Sequence, residues 1–221
     1  NEKFAEIVLE NCEDGDTIWV HDYQLLLVPQ LIKEKKPATK IGLFLHIPYP
    51  SFEIFRTFPW REQLLHGMLG SDLIGFHTYD YERHFISSVK RILGLEVNFN
   101  EILYEDRIVK VDSFPMGIDY EKFNTAAKLN EDSNPEERSD LQKRLDEHKQ
   151  STSGAKLILS IDRLDYTKGI PNRIRAFEYF LNRYPEYKEK VRLIMLAVPS
   201  RSNVPQYKKL KRETDELVGR I

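Results

Sequence analysis

Along most of the chain, short apolar runs alternate with longer stretches in which apolar residues recur at helical spacing. Residues 17–20, 41–45, 73–76, 157–161 and 191–198 are apolar and too short for helices of their own, so they are predicted to be strands. Phe4, Ile7 and Val8 predict a first helix that ends before the turn Glu13-Asp14-Gly15-Asp16. Leu25, Leu26, Val28, Leu31 and Ile32 predict a second, in which Pro29 marks either a kink or the true start. The prolines of His46-Ile47-Pro48-Tyr49-Pro50 force a loop, and two short helices follow over 52–58 and 61–69. Residues 81–93 carry Phe85, Val89 and Ile92 on one helical face, and 102–111 predict a hairpin turning at Glu105-Asp106. Further on, 173–184 shows a stripe of Ile174, Phe177, Phe180 and Tyr184, and Tyr207, Leu210, Thr214 and Leu217 mark a last helix. Strands alternating with helices predict an α/β fold of parallel βαβ units. The strands read as continuous apolar runs, as expected when both faces of a sheet are covered.

The alternation breaks once. Residues 124–154 turn polar and charged, most sharply over 130–135, while 136–149 keeps a weak helical pattern anchored by Leu141 and Leu145. The expected organisation is the C-terminal part of one Rossmann-like domain over 1–123, a linker and connecting helix over 124–154, and the start of a second Rossmann-like domain over 155–221. The chain opens at Asn1 within one helical pattern and stops at Ile221 just after another, so it is expected to be a piece of a longer protein.

Composition adds limits. With 41% hydrophobic and 31% charged residues the chain is ordinary for a soluble globular protein. A net charge of −2 gives no support for nucleic-acid binding, and no apolar run reaches the ~20 residues of a membrane span. The lone Cys12 rules out an internal disulfide or a cysteine-built zinc site and suits a cytoplasmic location.

In open parallel sheets, ligands bind beyond the C-terminal ends of the strands. Polar groups follow five of the predicted strands: His21-Asp22-Tyr23, His46, His77, Arg163 with Lys168, and Arg201. Arg163 and Lys168 are read as sharing one loop, closed by Gly169 and followed by Pro171 at a helix start. Two cations beside a helix N-terminus suit a diphosphate, although a plain solvated loop has the same pattern. Asp22 is either a carboxylate for sugar hydroxyls or an N-cap of the helix behind it. His46 could donate to a substrate hydroxyl or cap its own loop, and Arg201 could hold a phosphate or face water. The histidine spacing is not that of a metal site, so no metal is assigned. Neither G-x-x-x-x-G-K-[ST] nor G-x-G-x-x-G occurs.

Taken together, several motifs narrow the choice. Trp19-Val20-His21-Asp22-Tyr23, His46-Ile47-Pro48-Tyr49-Pro50-Ser51, the run from Asp72 to Tyr81, the run from Asp162 to Gly169, Pro199-Ser200-Arg201 and the run from Glu216 to Ile221 resemble the trehalose-6-phosphate synthase family in order and spacing. The resemblance implies a retaining glycosyltransferase of the GT-B type, with two Rossmann-like parallel-sheet domains that are both incomplete here and an active site between them. It implies transfer of glucose from UDP-glucose to glucose 6-phosphate without a metal ion, the only small molecules being those two substrates. By motif, Arg163 and Lys168 would hold the donor diphosphate, His46 the donor glucose, Asp22 and Tyr23 the acceptor sugar, and Arg201 the acceptor phosphate. Retention in this family is ascribed to front-face attack, so Asp22 need not be a nucleophile. Partners stay open: a homo-oligomer or a fused phosphatase domain would both fit.

Two departures stand out. The family commonly has histidine after H-D-Y where this chain has Gln24, a change expected to be tolerated. The resemblance also covers only the middle of the family's length, leaving out an N-terminal segment that completes the acceptor site and a C-terminal part that grips the donor. The 221 residues alone are therefore expected to be inactive, and appreciable turnover of UDP-glucose with glucose 6-phosphate by this chain would contradict that. The competing class is a non-catalytic synthase-like domain serving regulation or assembly. Such relatives often lose the cation pair or the aspartate, and this chain keeps both.

Overall fold

The apolar runs of the first hundred residues become neighbouring strands of one sheet. In the computed structural model, which describes residues 1–131, 140–151 and 154–220, the chain divides into two compact units, Asn1–Ile118 and Asp119–Ile221. In the first unit, β1 (Thr17–His21), β2 (Lys40–Phe44) and β3 (Leu73–Phe76) lie side by side and parallel. The hairpin adds β4 (Val97–Asn98), β5 (Glu101–Tyr104) and β6 (Arg107–Ser113), giving the order β1-β2-β3-β6-β5-β4. β6 runs parallel to β3, and the β5 and β4 edge is antiparallel. The register pairs His21 with Phe44 and Phe44 with Gly75. His21, His46 and His77 therefore emerge together at the C-terminal edge of three adjacent strands.

The helices hold these strands through a close-packed core. They are α1 (Glu2–Asn11), α2 (Val28–Lys35), α3 (Phe52–Phe55), α4 (Arg61–Leu69) and α5 (Tyr79–Ser88). Pro29 sits in the first turn of α2, so it starts that helix rather than kinking it. Ile32, Leu65, Leu69, Ile74, Phe76 and Phe85 are fully buried between helices and sheet. α4 ends against the start of α2 so closely that a Cβ on Gly70 would lie 2.1 Å from the Gln30 nitrogen, a position only glycine can fill. The predicted helix over 81–93 divides instead into α5 and a π-helical turn, Val89–Leu93, ended by Gly94 at φ 65°. At the opposite edge of the sheet Asp72 accepts from Lys33 Nζ at 2.8 Å and from the Ile41 N–H at 2.7 Å. Asp72 thereby fixes the N-terminal ends of β2 and β3, a structural duty within one of the quoted motifs.

The second unit contains α6 (Tyr120–Glu131), α7 (Asp140–Ser151), β7 (Lys156–Leu164), α8 (Ile170–Arg183), β8 (Val191–Pro199) and α9 (Pro205–Val218). Residues 132–139, which include most of the predicted break and the start of the predicted helix over 136–149, lie outside the described residues, as do the side chains of Leu141 and Leu145. β7 and β8 pair in parallel, Lys156 with Val191 through Leu164 with Pro199. Ile170 and Ile174 of α8 and Leu210 and Leu217 of α9 pack around Leu164. Tyr207, Leu210, Thr214 and Leu217 are all buried, so the stripe read from the sequence is the packed face of α9.

The expectation of sheets covered on both faces is corrected in both units. Trp19 is 67% exposed, and Leu157, Ile158, Leu159 and Ile161 of β7 are each about half exposed. Among the described residues β7 pairs with β8 alone, and the buried cluster gathers at its C-terminal end around Leu164. The continuous apolar runs are real, but helices cover them only in part.

Candidate functional site

In the first unit the site begins where β1 runs out. Asp22 has φ 70° and ψ 175°, a backbone region that residues other than glycine populate only under constraint. Two bonds hold it there. Its N–H donates to the Phe44 carbonyl at 2.8 Å, extending the β1–β2 ladder by one residue. Its Oδ1 accepts from the His46 backbone N–H at 3.2 Å. The carboxylate makes no bond to the 3₁₀ turn Tyr23–Leu25 behind it, so the N-cap alternative fails. Tyr23, in that turn, is half exposed.

His46 is fixed by its neighbours as well. His21 Nδ1 lies 3.0 Å from His46 Nε2 with the rings stacked at 5.3 Å, so one imidazole donates and the other accepts. His77 flanks the other side at 5.5 Å, its ring edge also against Phe44. With Nε2 engaged by His21, Nδ1 is the ring nitrogen left for a ligand. Beside this pair an open, largely apolar hollow of about 480 Å³ lies on the sheet face, walled by Trp19, Phe44, Phe114 and Met116. Its floor at Gly75 is tight, because a Cβ there would meet the Phe44 ring at 2.7 Å.

The second unit carries the cations. Arg163 is not in a loop, as its sequence neighbours imply, but on β7, paired with Val198 of β8. Lys168 ends the 3₁₀ turn Tyr166–Lys168, and Gly169 follows at φ 63°, turning the chain into α8. Both cations are exposed. Arg173, one turn into α8, donates to Ser160 Oγ and Asp162 Oδ2 at 2.5 Å and to the Lys168 carbonyl at 2.6 Å. With those three acceptors it pins the turn to the strand and is engaged by the protein rather than open to a ligand.

Asp165 closes the same turn. Its Oδ1 accepts from the N–H and the hydroxyl of Thr167, each at 2.9 Å, and its Oδ2 accepts from the Tyr207 hydroxyl at 3.2 Å. The Thr167 N–H above all holds this carboxyl below its ordinary range. The Thr167 and Tyr207 hydroxyls and the Arg163 charge add to the effect, and burial opposes it. A lowered carboxylate pKa stabilises the fold above the unfolded value of about 3.9 and loses that contribution as pH falls through the folded value. Asp165→Asn is accordingly expected to flatten the acid limb of stability in denaturant titrations below about pH 5. An unchanged acid slope would show that the carboxylate does not carry it.

Arg201 follows β8 in a left-handed conformation, φ 50°, and its Nη1 donates to the Tyr207 hydroxyl at 3.4 Å. Thus Asp22, Tyr23 and His46 share one edge of the first unit's sheet. In the second, Arg163 lies near the end of β7, while Lys168 and Arg201 follow β7 and β8. Neither the His21–His46 bond nor the role of Arg173 is legible from periodicity or motif, and the helical stripe casts Tyr207 as core alone. A D-x-T step at 165–167, which suits an Asx turn, was the one local signal for Asp165.

Solved structures resemble the chain along 99% of its length. One is the N-terminal domain of Candida albicans trehalose-6-phosphate phosphatase, at 38% identity and TM-score 0.80, of which this chain covers 45%. Another is the E. coli trehalose-6-phosphate structure bound with UDP-2-fluoro glucose, at 29% identity and TM-score 0.82, covered to 47%. The fold, α/β with Rossmann-like parallel sheets, is that of the GT-B glycosyltransferases. More particularly, the chain belongs to glycosyltransferase family 20, whose profile matches residues 1–221. It is 49% identical, over all 221 residues, to the alpha,alpha-trehalose-phosphate synthase [UDP-forming] A of Dictyostelium discoideum, and spans 29% of that protein. The chain spans less than half the length of each of these relatives.

Proposed function

We propose that the complete polypeptide carrying this sequence transfers glucose from UDP-glucose to glucose 6-phosphate, giving trehalose 6-phosphate and UDP. The observation that carries this reading is the family match along the entire chain, supported by relatives named as UDP-forming trehalose-phosphate synthases. In this reading Arg163 and Lys168 hold the donor diphosphate and stabilise the charge that grows on departing UDP. His46 contacts the donor glucose through Nδ1. Asp22 and Tyr23 take the acceptor sugar, and Arg201 takes its phosphate. UDP-glucose acts as co-substrate, no metal ion is assigned, and the protein works in the cytoplasm. Among the described residues no helix is long and apolar enough to cross a membrane.

A second reading, a synthase-like domain without catalysis, is favoured by the likeness to a phosphatase's N-terminal domain. The two separate on ligand binding. The synthase reading predicts that UDP and glucose 6-phosphate each raise the melting temperature of the complete polypeptide, as any ligand specific for the folded state must. No shift with either would favour the non-catalytic reading.

A further inference from the structure

Arg201 and the Lys168 turn belong to different loops of the second unit, yet one side chain touches both. Tyr207 comes from the first turn of α9 and is buried. Its hydroxyl donates to Asp165 Oδ2 at 3.2 Å and accepts from Arg201 Nη1 at 3.4 Å. Its ring lies 5.9 Å from the Arg201 guanidinium carbon and 5.8 Å, edge-on, from the ring of Tyr166. Asp165 in turn fixes the turn from both sides, accepting from Thr167 through its carboxylate and from the Lys168 N–H at 3.0 Å through its carbonyl.

We propose that the Tyr207 hydroxyl is a positioning group that couples the anion site at Lys168 to the anion site at Arg201. The polarity of the chain supports this. An exposed guanidinium donates to a buried phenol, the phenol donates to a buried carboxylate, and each bond polarises the next. An anion on Arg201 fixes that guanidinium, the guanidinium orients the phenol, and the phenol holds the carboxylate that shapes the Lys168 turn. Among the described residues the Arg201 guanidinium donates to Tyr207 alone, which leaves its other N–H groups for the anion itself. The hydrogen bond of 3.4 Å is long for this type, and an anion that draws Arg201 toward the phenol would tighten it. The second ligand then meets a turn already ordered, which is positive coupling between two sites.

The proposal rests on the nucleotide-sugar reading above, and one experiment separates the two. UDP binding to the complete polypeptide is measured by calorimetry with and without glucose 6-phosphate, for wild type and Tyr207→Phe. The phenylalanine keeps the ring, its packing and its contact with Arg201, and removes only the hydroxyl. In wild type, glucose 6-phosphate is expected to tighten UDP binding roughly fivefold or more. In Tyr207→Phe the factor is expected to fall below about twofold while each ligand still binds. A merely structural hydroxyl would change the melting temperature and leave the coupling factor alone. Wild-type coupling preserved in Tyr207→Phe, or no coupling in wild type when both ligands bind, would overturn the proposal. Absence of any UDP binding by wild type would overturn the nucleotide reading and this inference with it.

Discussion

Replacing both Arg163 and Lys168 with alanine in the complete polypeptide is expected to lower kcat/KM by about 10³-fold or more while leaving the fold intact. The size follows from the chemistry. Removing a single preorganised donor from a developing anion costs on the order of 10²–10³ in rate, and two cations on one diphosphate act partly as a unit, so their effects do not simply multiply. The sparing of the fold follows from placement. Both side chains are exposed, whereas the bonds that shape the turn come from Arg173, Asp165 and Thr167. Exposed substitutions away from special features stay within roughly 0.5 kcal/mol. Near-normal turnover of the double variant would remove both residues from the diphosphate site. A large loss of melting temperature would show instead that they hold the turn.

At Asp22, function and stability are expected to pull apart. Its φ of 70° and ψ of 175° suit glycine, and a strained non-glycine residue there costs on the order of 1–3 kcal/mol. Asp22→Gly loses the bond to the His46 N–H, worth about 0.5–1.5 kcal/mol, but releases that strain. Asp22→Ala loses the bond and keeps the strain. The glycine variant is therefore expected to melt several degrees above the alanine variant. Both are expected to lose most turnover, because the carboxylate proposed to hold the acceptor sugar is gone. Equal melting temperatures would show that the backbone is unstrained, and an active glycine variant would show that the carboxylate is dispensable. A strained residue whose relief raises stability and abolishes activity is the pattern expected of a site kept for its chemistry.

Much of this architecture is legible in the residues. The short apolar runs at 17–20, 41–45 and 73–76 mark β1, β2 and β3, and the Glu105-Asp106 turn marks the hairpin between β5 and β6. The buried stripe of α9 also follows from its spacing. Strand-end placement brings His21, Asp22, His46 and His77 to one edge because parallel neighbours in register must end together. What composition and periodicity do not carry is direction and partnership. Arg163 reads as a loop residue because it follows an apolar run, yet β8 is nine residues long and keeps pairing through Leu164. Tyr207 fits a core stripe and is buried as such, but the hydroxyl that makes it a link between Asp165 and Arg201 has no periodic signature. The strain at Asp22 is invisible for the same reason. It arises from bonds to Phe44 and His46, more than twenty residues away, and not from its neighbours in sequence.

The most direct test of the proposed chemistry is product analysis on the complete polypeptide supplied with UDP-glucose and glucose 6-phosphate. UDP should be released one for one with a phosphorylated disaccharide whose two anomeric centres are both α, and release should stop when glucose 6-phosphate is omitted. UDP release that ignores glucose 6-phosphate, or a product with an inverted donor centre, would contradict it.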